Sequence, residues 1–232
     1  MKKILNKLGI TRLIRIYLFK FVGTNIFSSQ LAKFLIDEFD GYWGHWVERD
    51  KGNLGFGYVH FGLIASQKPK RILCIGSQRG FVPVICALAC KHNKKGHVDF
   101  VDAGFDLDHP KAWSGDGFWT KNDPKKHFGK VVSDKWITTY VMTTKDFAKK
   151  YKREYDYIYI DGDHSYKGVK TDYQTFWPRL TKGGYMSFHD ALAKGSFKKT
   201  YHFGVNKLWE EISKKTNSIY FSHLPGLGIL QK

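Results

Sequence analysis

A doubly wound α/β fold built on one mainly parallel sheet is what this sequence predicts, and three observations predict it. From residue 71 onward, short apolar runs alternate with segments of helical spacing. Three of those runs end on an acid, at Asp102, Asp161 and Asp190. At the far end, Ser218 to Leu224 and Leu227 to Leu230 flank Pro225-Gly226 and predict a hairpin, which adds an antiparallel strand.

Residues 12 to 40 have helical spacing, with Ser28 or Ser29 as an N-cap before Gln30 to Ile36. Residues 41 to 57, rich in Gly and Trp, predict loop, and residues 58 to 67 predict helix. Lys68-Pro69-Lys70 stops that helix, because proline drives its predecessor out of the helical region. Arg71 to Ile75 is the first strand, Gly76 to Gly80 a turn, and Phe81 to Cys90 an apolar helix with Pro83 tolerable in its first turn. His97 to Asp102, Trp136 to Met142, Tyr155 to Ile160 and Tyr185 to Phe188 are the following strands. Helices over Lys145 to Tyr151, Gly168 to Trp177 and Gly204 to Lys214 complete the alternation. This divides the chain into a basic helical extension over 1–57 and an α/β domain over 58–232. The domain carries an insert at 103–135 holding Phe105, Asp106, Asp108, His109, Trp113, Asp116, Trp119 and His127. A connection this long is functional or disordered as a rule, and its aromatics and acids predict a substrate-facing lid. Asp106, Asp108 and His109 have the makings of a second metal set, although loop turns explain such acids more simply.

With 16% aromatic residues the chain is not a disordered one. A formal charge of +17 suits an anionic partner: nucleic acid, an acidic lipid face or an acidic or phosphorylated substrate. A solvated lysine surface explains the same number, since the Lys pairs are scattered along the chain. Cys74, Cys86 and Cys90 are an odd count without Cys-x-x-Cys spacing, which excludes a disulfide framework and a zinc knuckle and fits a reducing cytosol. Met1 to Val22 is apolar but broken by Lys7, Arg12, Arg15 and Lys20, so it is expected neither to span a bilayer nor to act as a signal peptide. Leu13, Ile14, Tyr17, Leu18 and Phe21 share one helix face there. That face suits packing on the domain, a homodimer through the N-terminal helices, or peripheral contact with an anionic inner-membrane face by a cytoplasmic protein.

The chemistry concentrates in Asp161-Gly162-Asp163-His164 and His189-Asp190, each placed where an apolar run stops. If the two runs are neighbouring parallel strands, Asp161 and Asp190 emerge at one edge, where open α/β sheets hold their ligands. Strands lie roughly 4.8 Å apart. Two carboxylates that close repel unless a cation or a shared proton sits between them. Upstream, Gly76-x-x-x-Gly80 lets backbone approach a ligand and aims helix amides at it. It matches neither Gly-x-Gly-x-x-Gly nor a triphosphate loop. Asp102, at the tip of the second strand, suits a ribose diol, so the pattern predicts a nucleoside ligand with no required phosphate.

Taken in order, Ile72 to Gly80, Asp102, Asp161-Gly162-Asp163-His164-Ser165-Tyr166, Trp177-Pro178-Arg179-Leu180, Gly183-Gly184 and His189-Asp190 resemble class I S-adenosylmethionine-dependent methyltransferases. The resemblance spans residues 60 to 230 and is nearest to the branch of metal-assisted O-methyltransferases acting on sugars and other small hydroxylated molecules. It departs from the usual pattern at Cys74, where an acid is customary, and at Gln78, where glycine is. The resemblance implies a Rossmann-like sheet of seven strands with the last antiparallel. It implies S-adenosylmethionine on Gly76, Ser77, Gln78, Gly80, Asp102, Ala103, Thr143, Thr144 and Asp161. It further implies Mg²⁺, Mn²⁺ or Ca²⁺ on Asp161 and Asp190 with His189 as ligand or neighbour, and Asp163 or His164 as the base. The expected substrate is a sugar, a glycolipid precursor or another small-molecule hydroxylated acceptor. The rivals are an RNA-directed methyltransferase, which the charge favours, and a non-catalytic nucleoside-binding or scaffold protein.

Overall fold

The computed structural model describes residues 27–106, 116–198 and 201–232. The expectations placed on residues 1–26, on Asp108 and His109 and on Trp113 lie outside them. The first described helix, α1 (Ser29–Glu38), starts where Ser28 caps it by accepting from the Leu31 N–H at 3.1 Å. It buries Ala32, Leu35 and Ile36, and α2 (Phe56–Gln67) follows after the Gly- and Trp-rich loop. Then come β1 (Arg71–Gly76), α3 (Phe81–Asn93) and β2 (His97–Asp102). The insert carries two short helices, α4 (Phe118–Lys121) and α5 (Pro124–Phe128). The remainder is β3 (Ile137–Val141), α6 (Thr144–Lys150), β4 (Tyr155–Asp161), α7 (Tyr166–Phe176) and β5 (Leu180–His189). A small pair, β6 (Ser196–Lys198) and β7 (Tyr201–His202), precedes α8 (Val205–Ile212), β8 (Asn217–Phe221) and β9 (Leu227–Gln231).

Seven strands form one sheet in the order β3-β2-β1-β4-β5-β9-β8. The first five are mutually parallel, and β9 runs antiparallel to both β5 and β8. The expected doubly wound fold with its antiparallel hairpin is therefore present. Alternation along each strand builds two cores. Ile72, Cys74, Phe100, Tyr157 and Tyr159 face the layer that holds α1, α2 and α3. Leu73, Ile75, Ile158, Ile160 and Phe188 face α6, α7 and α8 through Phe147, Val169 and Leu208.

Several boundaries differ from the sequence reading, each for a local reason. The segment 27–57 is part of the main core, because Leu35, Ile36, Phe39 and Leu54 pack directly onto it. The helix expected from Gly168 begins at Tyr166, since Ser165 caps it by accepting from Gly168 N–H at 3.0 Å. The strand expected from Tyr185 begins at Leu180, which pairs with Tyr155 before an irregularity in the ladder. The insert is more wall than lid over its described part. Trp119 and Phe128 are buried and stacked at 5.5 Å, and Phe100 meets Trp119 edge-on at 5.2 Å.

The register fixes the functional rim. Ile75 pairs with Val101, and Gly76 pairs with Asp161, so Asp102, Gly76 and Asp161 end three adjacent strands at one level. At Gly76, with φ of 73°, a Cβ would lie 2.0 Å from the Asp161 carbonyl oxygen, so the two strand ends touch backbone to backbone. Gly76→Ala is expected to destabilise by on the order of 2–5 kcal/mol, combining left-handed strain with a backbone clash. Urea unfolding measures this, and a midpoint equal to wild type would refute the close approach.

Candidate active site

The turn after β1 holds Ser77 at φ 104° and Gln78 at φ 42°, both in a region that favours glycine. Strain of this kind persists where the surroundings over-determine it, and it clusters at ligand sites. Here the surroundings are visible. Ser77 is buried, and the Gln78 carbonyl accepts from the Trp119 indole N–H at 2.5 Å. This turn opens onto a cleft of about 590 Å³, within the range of pockets that hold a nucleoside-sized ligand. Of the residues expected to touch a cofactor, Gly76, Ser77, Gln78, Asp102, Ala103, Thr143, Thr144 and Asp161 line this cleft. Gly80 stands back from it, where a Cβ would meet the Phe128 ring at 2.6 Å. Asp102 accepts from the Gly104 N–H at 2.7 Å, and burial pushes its carboxyl up to about 6. Thr143 caps α6 by accepting from the Asp146 N–H at 3.1 Å.

Beside the cleft the ends of β4 and β5 build a network of two acids and two imidazoles. His164 places Nε2 3.1 Å from Asp161 Oδ1 and Nδ1 2.7 Å from Asp190 Oδ2. His189 Nδ1 lies 3.1 Å from Asp161 Oδ1 and 3.1 Å from Asp190 Oδ1. The Tyr159 hydroxyl donates to Asp161 Oδ2 at 2.8 Å. Asp190 adopts φ 58°, a left-handed turn at the end of the strand. Burial alone would raise Asp161, but His189 and His164 outweigh it and hold this carboxyl well below its ordinary range. Burial alone would discharge the imidazoles, but Asp161 and Asp190 raise His164 to about 10 and His189 to about 9.

Asp163 stands apart from the network. Its carboxylate accepts from the Ser165 N–H at 2.9 Å and folds over Gly168, where a Cβ would fall 2.2 Å from its Cγ. Sequence reasoning missed two buried histidines. His45 lies 4.6 Å from the His189 ring and 4.9 Å from Phe81, ring centre to ring centre. Below Tyr159, His60 Nδ1 is 2.6 Å from the Tyr157 hydroxyl, which is 2.8 Å from Ser187 Oγ. His45 sits in a loop with no regular spacing, so no periodic signal marks it.

Residues 73–191, just over half the chain, match the family model described as a methyltransferase domain. The chain belongs to this methyltransferase family. A protein of Sinorhizobium fredii described as "Uncharacterized protein y4gI" is 24% identical over 193 residues, covering 80% of this chain and 20% of that protein. The chain thus spans about one fifth of the length of that curated relative. Among solved structures, the O-methyltransferase from Bacillus cereus in complex with SAH superposes with a TM-score of 0.58 at 13% identity, over 95% of this chain and 97% of that one. TomG, an O-methyltransferase from Streptomyces achromogenes in complex with SAM, gives 0.59 at 13% identity, over 92% and 95%. At these identities the likeness shows the fold. Among the described residues of this methyltransferase, no helix is long and apolar enough to cross a membrane.

The expected divalent ion finds its three residues, Asp161, His189 and Asp190, drawn together, but not its cage. The two carboxylates already share His164, whose nitrogens take the place a cation would need between them. Among the described residues no group of three His, Cys, Asp or Glu side chains is arranged to hold a metal. As they stand, these side chains do not fit a metal ion.

The network makes stability depend on pH in a defined direction. The two imidazoles, raised from 6.5, contribute in full below pH 6.5, and that contribution is lost as pH rises through about 9 and 10. Asp161, lowered from 3.8, contributes above 3.8 and loses its contribution as pH falls through its depressed value. The melting temperature of the methyltransferase is expected to fall between pH 6.5 and 10, with a shallower slope in His164→Gln. Equal slopes in the two proteins would contradict the charged network.

Proposed function

We propose that this methyltransferase moves the methyl group of S-adenosylmethionine to a hydroxyl oxygen of a sugar, a glycolipid precursor or another small polar acceptor. The observation that carries this reading is the meeting of a nucleoside-sized cleft, with Asp102 on its wall, and the Asp161–His164–Asp190–His189 network, which reaches the cleft lining through Asp161. The methionine part lies along Gly76 to Gln78 and the ribose diol on Asp102, which has one oxygen on Gly104 N–H and offers the other. In the displacement the methyl carbon leaves the sulfonium sulfur, which keeps the bonding pair and becomes a neutral thioether. The acceptor oxygen forms the new C–O bond and gives up its proton.

His164 is the base in this reading. It keeps its charge because two carboxylates hold it. An acceptor hydroxyl that takes one of those contacts weakens the hold, so the imidazole falls back toward its ordinary range, releases its bound proton to solvent and, now neutral, accepts the hydroxyl proton as the C–O bond forms. Asp163 shapes the loop through its bond to Ser165. His189 stays to balance Asp161 and Asp190. Metal assistance would need an arrangement other than the one described, with His164 displaced so that Asp161, Asp190 and His189, whose buried ring nitrogens make no well-directed hydrogen bond among the described residues, could hold a divalent ion.

Methyl transfer to a panel of sugars and small hydroxylated acceptors, read by mass spectrometry, tests the reading. His164→Gln is expected to lower kcat by about 10²–10⁴, with KM for S-adenosylmethionine little changed. An undiminished kcat would remove His164 from the chemistry. Turnover is expected to survive chelation with EDTA, and strict dependence on added Mg²⁺ would select the metal-assisted form instead.

A further inference from the structure

One buried carboxyl on the cleft wall has no part in the ribose contact or in the four-residue network. Asp172 sits midway along α7, is 7% exposed, and lines the cleft next to Thr143, Thr144 and Gly162. Its Oδ2 is 3.6 Å from the point where a Cβ on Gly162 would stand, so the missing side chain at 162 leaves the carboxyl edge uncovered on that side. The neighbouring Thr144 side chain favours the charged form. Burial, reinforced by the charge of Asp163, pushes the carboxyl up to about 7. The other charged side chains on the cleft walls are Asp102, Asp116, Asp161, Asp163, Lys145 and Lys167. Near neutrality a substantial share of Asp172 is therefore the neutral acid, with an O–H donor and a carbonyl acceptor side by side.

Adenine presents the complement of that pair: an amino donor at C6 next to an acceptor at N1, the edge by which proteins read an unpaired base. The position agrees with the chemistry. With the methionine part at Gly76 to Gln78 and the ribose on Asp102, the lining left for the base includes Thr143, Thr144, Gly162 and Asp172. We propose that Asp172 reads the adenine of the cofactor, accepting from its 6-amino group and donating to N1. Asp172 thus contributes from a helix, at a position that sequence spacing alone does not mark. The inference rests on the proposed binding of S-adenosylmethionine in this cleft.

Isothermal titration with S-adenosylhomocysteine, and with its analogue bearing hydrogen in place of the 6-amino group, tests it. The wild-type protein is expected to prefer the adenine compound by about 10–100-fold, because the analogue leaves a buried acceptor unpaired. Asp172→Asn should keep that preference, since an amide offers the same donor and acceptor. Asp172→Ala, or the bulkier Asp172→Leu if the first does not fold, should bind the two compounds about equally, having lost about 10-fold for the adenine form. A wild-type protein without preference, or an Ala or Leu variant that retains it, overturns the assignment. A wild-type protein that binds neither compound overturns the cofactor reading beneath it, which is a different result from a lost preference.

Discussion

Two carboxylates held at neighbouring strand ends, out of water, have to be matched by positive charge, and most of the rim is arranged around that requirement. Asp161 and Asp190 are each about nine-tenths hidden from solvent, and like charges so placed disfavour one another's ionisation. His164 and His189 supply the match, and each imidazole contacts both acids. Removing one member leaves the others buried and unbalanced, which in general costs more than the intact group contributes. The network is therefore a unit. Its geometry depends on the left-handed turn at Asp190, on the Tyr159 hydroxyl behind Asp161, and on the backbone contact between Gly76 and Asp161.

The same contact joins the network to the cleft. Because Gly76 pairs with Asp161, the strained turn at Ser77 and Gln78 opens next to the acids. An electropositive sulfonium bound along that turn would approach the carboxylate side of the network, and the departing methyl would point at the group that deprotonates its acceptor. In-line transfer depends on such positioning more than on any single bond. The walls that fix the turn come from the insert: Trp119 holds the Gln78 carbonyl and stacks on Phe128. The described part of that insert is thus cleft wall as well as connection.

Much of this was legible in the sequence because it rests on local pattern. Apolar runs ending on Asp102 and Asp161 gave strands and their tips, and the Pro225-Gly226 hairpin gave the antiparallel edge. Spacing alone placed Asp161 and Asp190 on one rim. What spacing does not encode is which charge lies between two acids. The sequence offers Asp163 or His164 as the base, but not the bridge that the His164 ring makes between both carboxylates. His45 and His60 were invisible for the same reason: each reaches the site from a distant part of the chain by packing. Asp172 resembled one more polar residue on an amphipathic helix, and only the fold shows it facing inward. Trp119 and Phe128 belonged to a stretch without periodicity, so tertiary packing alone decided their burial.

The central claim is that a sulfonium nucleoside and a charge-balanced acid–imidazole network share one rim of the sheet. A crystal structure of the protein soaked with S-adenosylhomocysteine tests it most directly. The account predicts ribose hydroxyls within hydrogen-bond distance of Asp102 and the sulfur facing the edge formed by Asp161 and His164. Density for the nucleoside on another face, or a cleft that stays empty at saturating ligand while the fold is intact, would contradict it.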